Sequence, residues 1–66
     1  MKTEEEVILG ERLLTIRATP EELAAHIKGR KLWLKWIILP APDPEQDKFD
    51  DGVWVFNLTR GRWERP

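Results

Sequence analysis

Residues 31–40 read KLWLKWIILP and hold two of the four tryptophans of a 66-residue chain. Taken as one strand, successive side chains point to opposite faces. Leu32, Leu34, Trp36 and Ile38 then share one face, and Lys31, Trp33, Lys35, Ile37 and Leu39 share the other. The first half alternates strictly and the second half is apolar on both faces. This reading assigns Trp36 to the core. It leaves Trp33, set between Lys31 and Lys35, as the aromatic residue held out to a partner. The apolar outer positions Ile37 and Leu39 then need a cover, either the loop that follows, through Phe49, or another chain.

Upstream, ATPEELAAHIKGR (residues 18–30) predicts a helix over 20–28. Thr19 is an N-cap, Pro20 suits the first helical position, and Thr19 with Glu22 forms a capping box. Glu21 and Glu22 favour the positive end of the helix dipole, and Gly29 is placed to end the helix in a left-handed conformation. Leu23, Ala24 and Ile27 give it one apolar stripe.

Further upstream, RLLTIRA (residues 12–18) alternates as a strand, and EVIL precedes Gly10 and Glu11. Glycine at the first central position suits a type II′ turn, so residues 5–9 and 12–18 are expected to pair. One long strand with a bulge at Gly10 is the second reading, and an N-terminal helix capped by Thr3 the third.

Downstream, residues 40–52 (PAPDPEQDKFDDG) form an acidic, proline-rich loop. VWVFNLT (residues 53–59) alternates again, with Trp54, Phe56 and Leu58 on one face. Arg60 and Gly61 read as a turn, and the basic tail 60–66 adds a short strand or frays.

The expected fold is therefore one small α+β domain spanning residues 1–66. A short helix packs on a mostly antiparallel four-stranded sheet in the order ββαββ, with a β-grasp-like arrangement as the preferred topology. Residues 12–30 resemble the strand and first helix of ribbon–helix–helix repressors. The second helix of that family would fall on KLWLKWIILP and the prolines after it, so the chain is not assigned there.

A chain this short buries only about 60% of its unfolded surface, so each large apolar residue matters. There is no cysteine, hence no disulfide or thiolate metal site, which agrees with a reducing compartment. The acidic N-terminus is unlike a secretory or mitochondrial signal, and no apolar run approaches the roughly 18 residues of a membrane span. The expected location is cytoplasmic. Net charge is −1, which lacks the global basic excess of a typical nucleic-acid module.

Catalysis is not expected. The chain has neither serine nor cysteine, and its one histidine, His26, sits at the edge of the helix stripe. No cofactor or metal is expected. Asp43, Glu45 and Asp47 are spaced like part of a calcium loop, but Lys48 stands where that loop needs glycine and Trp54 where it needs glutamate.

The residues with interaction chemistry are basic and aromatic. Lys28, Arg30, Lys31 and Lys35 lie in a stretch without an acid from Leu23 to Pro42, and Arg60, Arg62 and Arg65 surround Trp63. A hairpin of the last two long strands would bring residue 31 beside residue 59 and join the two groups. The expected contact face is Lys31, Trp33, Lys35, Arg60, Arg62 and Trp63. The function expected of it is non-enzymatic protein binding, as an adaptor, inhibitor or accessory subunit, to an acidic partner surface or a second copy. The alternative is nucleic-acid binding through the same face.

Overall fold

The stretch 31–40 is two strands, not one. The computed structural model describes residues 1–42 and 52–64. In it β4 (Lys31–Trp33) turns back on β5 (Ile38–Pro40), with Trp33 opposite Ile38, Leu32 opposite Leu39 and Lys31 opposite Pro40. The N–H of Leu34 donates to the carbonyl of Ile37 at 2.9 Å, so Lys35 and Trp36 form the tip. The reversal changes which residues share a face. Leu32 and Leu34 now lie with Ile37 and Leu39, and Leu32 and Leu39 are buried. Lys31 and Trp33 lie with Ile38 and Pro40 on the outer face. Trp36, expected in the core, is 56% exposed, and Ile38 is 48% exposed.

The preceding strand β3 (Ile27–Lys28) completes a three-stranded antiparallel sheet in the order β3-β4-β5. Helix α1 (Pro20–Ala25) is consequently shorter than the expected 20–28. Its start is as expected: the Thr19 hydroxyl accepts from the N–H of Glu22 at 3.1 Å, and the Glu22 carboxylate accepts from the N–H of Thr19 at 3.2 Å. Its end is not. His26 is the C-cap, and Gly29, at φ 67°, holds the first central position of the turn between β3 and β4.

The second sheet has four strands in the order β1-β2-β6-β7: β1 (Lys2–Ile8), β2 (Glu11–Arg17), β6 (Val53–Asn57) and β7 (Arg62–Glu64). Its inner face carries Leu14, Ile16, Trp54 and Phe56, all buried. The opposed cover is Leu23 from α1 with Leu32 and Leu39 from the smaller sheet. Two antiparallel sheets with a six-residue helix thus replace the expected single sheet under one helix. Every strand pairing among the described residues is antiparallel, so the mixed sheet of a β-grasp is not formed. The strand of residues 31–39 does not pair with 53–59, because β2 lies beside β6 on one side and β7 on the other. Residues 43–51 of the acidic loop, with Phe49, and residues 65–66 of the tail lie outside the described residues.

The β1–β2 hairpin forms as expected, with a different turn. Ile8 pairs with Glu11, so Leu9 and Gly10 are the central residues, at φ 51° and φ 79°. Two positive φ values match type I′, for which Asn-Gly is the favoured pair. Leu9 has neither the side chain for that conformation nor a contact to repay it, being 98% exposed. A non-glycine residue held there costs about 1–2 kcal/mol, less for asparagine. Leu9→Asn is therefore expected to stabilise the fold by on the order of 1 kcal/mol. A thermal melt checks it, and an unchanged or lowered midpoint would contradict the turn assignment.

Candidate functional site

The exposed tryptophans, Trp33 and Trp36, both belong to the β4–β5 hairpin of the smaller sheet. Trp33 is 47% exposed, and its indole Nε1 donates at 3.4 Å to the carbonyl of Lys28 across the sheet. Its backbone N–H donates to the carbonyl of His26 at 2.9 Å. The cations Lys28, Arg30, Lys31 and Lys35 lie on the same small sheet and its turns, all exposed, and none forms an ion pair with a described residue.

A cleft of about 630 Å³ opens beside this sheet. Met1 and Thr3 of the N-terminal segment form one wall, and His26, Trp33, Leu34, Lys35 and Trp36 form the other. The volume lies in the range of ligand and side-chain pockets, about 300–1,000 Å³. Its chemistry is the indoles of Trp33 and Trp36, the aliphatic Leu34, the ammonium of Lys35 and the imidazole of His26, facing the Met1 segment whose own ammonium is already paired with Glu22. That set favours an apolar group with a negative charge beside it.

The expected face does not assemble as one surface. Lys31, Trp33 and Lys35 stand together on the hairpin, but Arg60, Arg62 and Trp63 are engaged elsewhere. Arg60 donates through Nε to Glu11 at 2.7 Å, and Arg62 reaches Glu64 at 3.4 Å. Trp63 is half-buried. It meets Phe56 edge-on at a centroid distance of 5.0 Å, and its Nε1 donates to the carbonyl of Pro40 at 2.8 Å. That bond ties β7 to β5, so Trp63 clamps the two sheets together.

Glu11 belongs to the same network as Arg60. The hydrogen bond from Arg60, and then that from Asn57, hold its carboxyl below the usual glutamate range. Glu22 is also held low, first by the backbone N–H of Thr19 and then by the ammonium of Met1. Both are structural pairings, and that of Glu22 anchors the Met1 wall of the cleft. Among the described residues no group of histidine and carboxylates is arranged to hold a metal.

Sequence reasoning missed Trp36, Ile38, His26, Met1 and Thr3 as parts of this surface. The missing signal is a turn marker: Lys35-Trp36 has no Gly, Pro, Asn or Asp to announce a reversal. With this geometry in view, comparison with family models, with curated proteins and with solved structures yields no match. The fold and site define a small strand-rich domain with one short helix and an exposed cationic–aromatic hairpin. Among the described residues no helix is long and apolar enough to cross a membrane.

Proposed function

We propose that this chain is a non-enzymatic protein-binding module whose contact surface is the β4–β5 hairpin. One observation carries the reading: Trp33, Trp36 and Ile38 are each about half exposed on a single hairpin that also carries Lys31 and Lys35, cations without described acidic partners. Tryptophan and arginine dominate binding hot spots, and clustered exposed apolar side chains rimmed by charge mark interaction sites. The partner surface is apolar with an acidic rim, because Lys31 and Lys35 flank the indoles and steer opposite charge. Arg60 and Arg62 drop out of the contact, since Glu11 and Glu64 already hold them. Trp63 acts in the fold.

Nucleic-acid binding is the second reading. It is favoured by the same cations, which have no acidic partner among the described residues, beside two exposed indoles, the chemistry of a stacking platform. Phosphate-driven binding weakens steeply with salt. Capture of partners from lysate with and without nuclease, at two salt concentrations, separates the readings. Trp33→Ala is expected to leave the melting midpoint nearly unchanged and to weaken capture at least tenfold. A variant that folds and binds as the parent does would remove Trp33 from the contact.

A further inference from the structure

The β1–β2 hairpin ends in a second apolar feature. Val7, Ile8 and Leu9 are 68%, 46% and 98% exposed. Leu9 sits at φ 51°, a conformation that asparagine or glycine adopts more easily. An unfavourable backbone conformation that presents a fully exposed leucine does nothing for the isolated fold. Such features concentrate at contact sites. Behind the tip, Glu4 and Glu6 point to the outer face of β1 and are exposed. Of these two, only Glu4 has a described ion pair, a 3.9 Å contact with Lys2.

This aliphatic tip with an acidic shaft is the chemistry the tryptophan cleft selects. The cleft has apolar walls at Trp33, Leu34 and Trp36, and its cation is Lys35, while Lys31 shares the outer face of the hairpin with Trp33. The two features lie far apart on one chain. The cleft reaches Thr3, and Leu9 is six residues further along β1, about 20 Å away at roughly 3.3 Å per residue. The tip therefore reaches a cleft only on another molecule. Direct pairing of two β1 edges is disfavoured, because antiparallel alignment centred on Glu5 would set Glu5 against its copy and each Glu4 against the other strand's Glu6.

We infer that the cleft lined by Trp33, Leu34, Lys35 and Trp36 receives the Val7–Leu9 hairpin tip of a second copy of this chain. This rests on the proposed binding role of the β4–β5 hairpin and names its occupant. Two reciprocal contacts close a dimer if a twofold axis permits, and a one-way contact propagates as a chain.

The test is sedimentation of the full chain across a concentration series. The parent is expected to associate reversibly, and more weakly as salt rises. Leu9→Asn is expected to melt higher than the parent yet associate at least tenfold more weakly, an opposition that a purely structural role for Leu9 would not produce. Glu4→Lys with Glu6→Lys is expected to weaken association, as is Lys31→Glu with Lys35→Glu. A mixture of the two double variants should restore it. A parent that stays monomeric up to about millimolar concentration, where binding free energy is only about −4 kcal/mol, overturns the inference. So does a Leu9→Asn variant that associates as the parent does, or a mixture of double variants that restores nothing. If the parent is monomeric while Trp33→Ala still loses a captured protein, only self-association fails and the binding module stands. If Trp33→Ala also captures normally, the binding reading itself fails.

Discussion

Trp54→Ala is expected to abolish the cooperative unfolding transition, whereas Trp36→Ala leaves it nearly in place. Trp54 is fully buried at the centre of the larger sheet, on the face shared with Leu14, Ile16 and Phe56. Its indole Nε1 donates to the carbonyl of Ala18 at 3.1 Å. Truncation leaves a large cavity and deprives that carbonyl of its indole donor, a loss of about 3–5 kcal/mol. At about 0.05–0.15 kcal/mol per residue, a chain of this length has only about 3–10 kcal/mol in all. The Ala18 segment has little room to adjust. Its N–H donates to the carbonyl of Gly52 at 2.9 Å, and a Cβ on Gly52 would sit 3.0 Å from the Ala18 oxygen.

Trp36 occupies the tip of a hairpin with more than half its surface in water, so its removal creates no cavity. Urea titration followed by far-ultraviolet circular dichroism distinguishes the two variants. Acrylamide quenching gives an independent check, since Trp36→Ala should remove an accessible emitter. A Trp36→Ala variant as unstable as Trp54→Ala would mean that residues 31–40 are a single core strand after all.

That contrast marks where the sequence was informative. Local chemistry was readable. The capping box at Thr19 and Glu22, the Leu14–Ile16 and Trp54–Phe56 alternations, and the turn at Arg60–Gly61 each depend on residues close in the chain. The two-sheet architecture depends on one reversal at Lys35-Trp36, where no turn-forming residue stands. Leu32, Leu34, Trp36 and Ile38 satisfy a strand template, so periodicity alone favours an unbroken strand. Only the surplus of apolar residues at Ile37 and Leu39 hinted otherwise, and the hairpin accounts for it by turning Leu39 inward.

The candidate site was half legible for the same reason. Trp33 between two lysines was identifiable because it precedes the reversal. Trp36 was misassigned because it lies at it. The role of Trp63 was hidden because its partner, the Pro40 carbonyl, is 23 residues away in another sheet. Gly10 was read as the first central residue of a hairpin turn and Gly29 as a left-handed helix stop; both have the positive φ, but Gly10 is second in its turn and Gly29 opens the turn from β3 to β4. A glycine reports a positive φ without reporting which neighbour shares it.

Asn57→Asp is expected to be the most damaging single-atom-scale change in the molecule, and its effect should depend on pH. Asn57 is fully buried although it projects from the outer face of β6. Its Nδ2 donates to Glu11 at 3.0 Å and to Glu64 at 3.1 Å, while its Oδ1 accepts from the N–H of Arg60 at 2.9 Å. The amide thus supplies hydrogens to two carboxylates and binds the turn that carries Arg60. An aspartate keeps the acceptor, loses both donors and sets a third negative charge between Glu11 and Glu64. Leaving a buried charge uncompensated costs about 3–5 kcal/mol.

Burial and the two carboxylates raise the folded-state pKa of that aspartate above its unfolded value of about 3.9. The unfolded chain then binds fewer protons at this site than the folded one. The penalty is full above the raised pKa and fades as pH falls toward the unfolded value. Glu11 works in the opposite sense. Its lowered pKa contributes stability above the ordinary 4.5, lost as pH falls through the lowered value. The parent should therefore gain nothing on acidification, while the gap between parent and Asn57→Asp narrows between about pH 7 and pH 4.5. Asn57→Ala is the control. It leaves the Arg60 N–H and both carboxylates short of a partner for about 1–3 kcal/mol, without that pH-dependent recovery. Urea midpoints for the three proteins at both pH values decide the matter. A constant gap for Asn57→Asp would mean that the new carboxyl escapes to water, and that the Glu11–Asn57–Glu64 bridge does not hold the end of the larger sheet together.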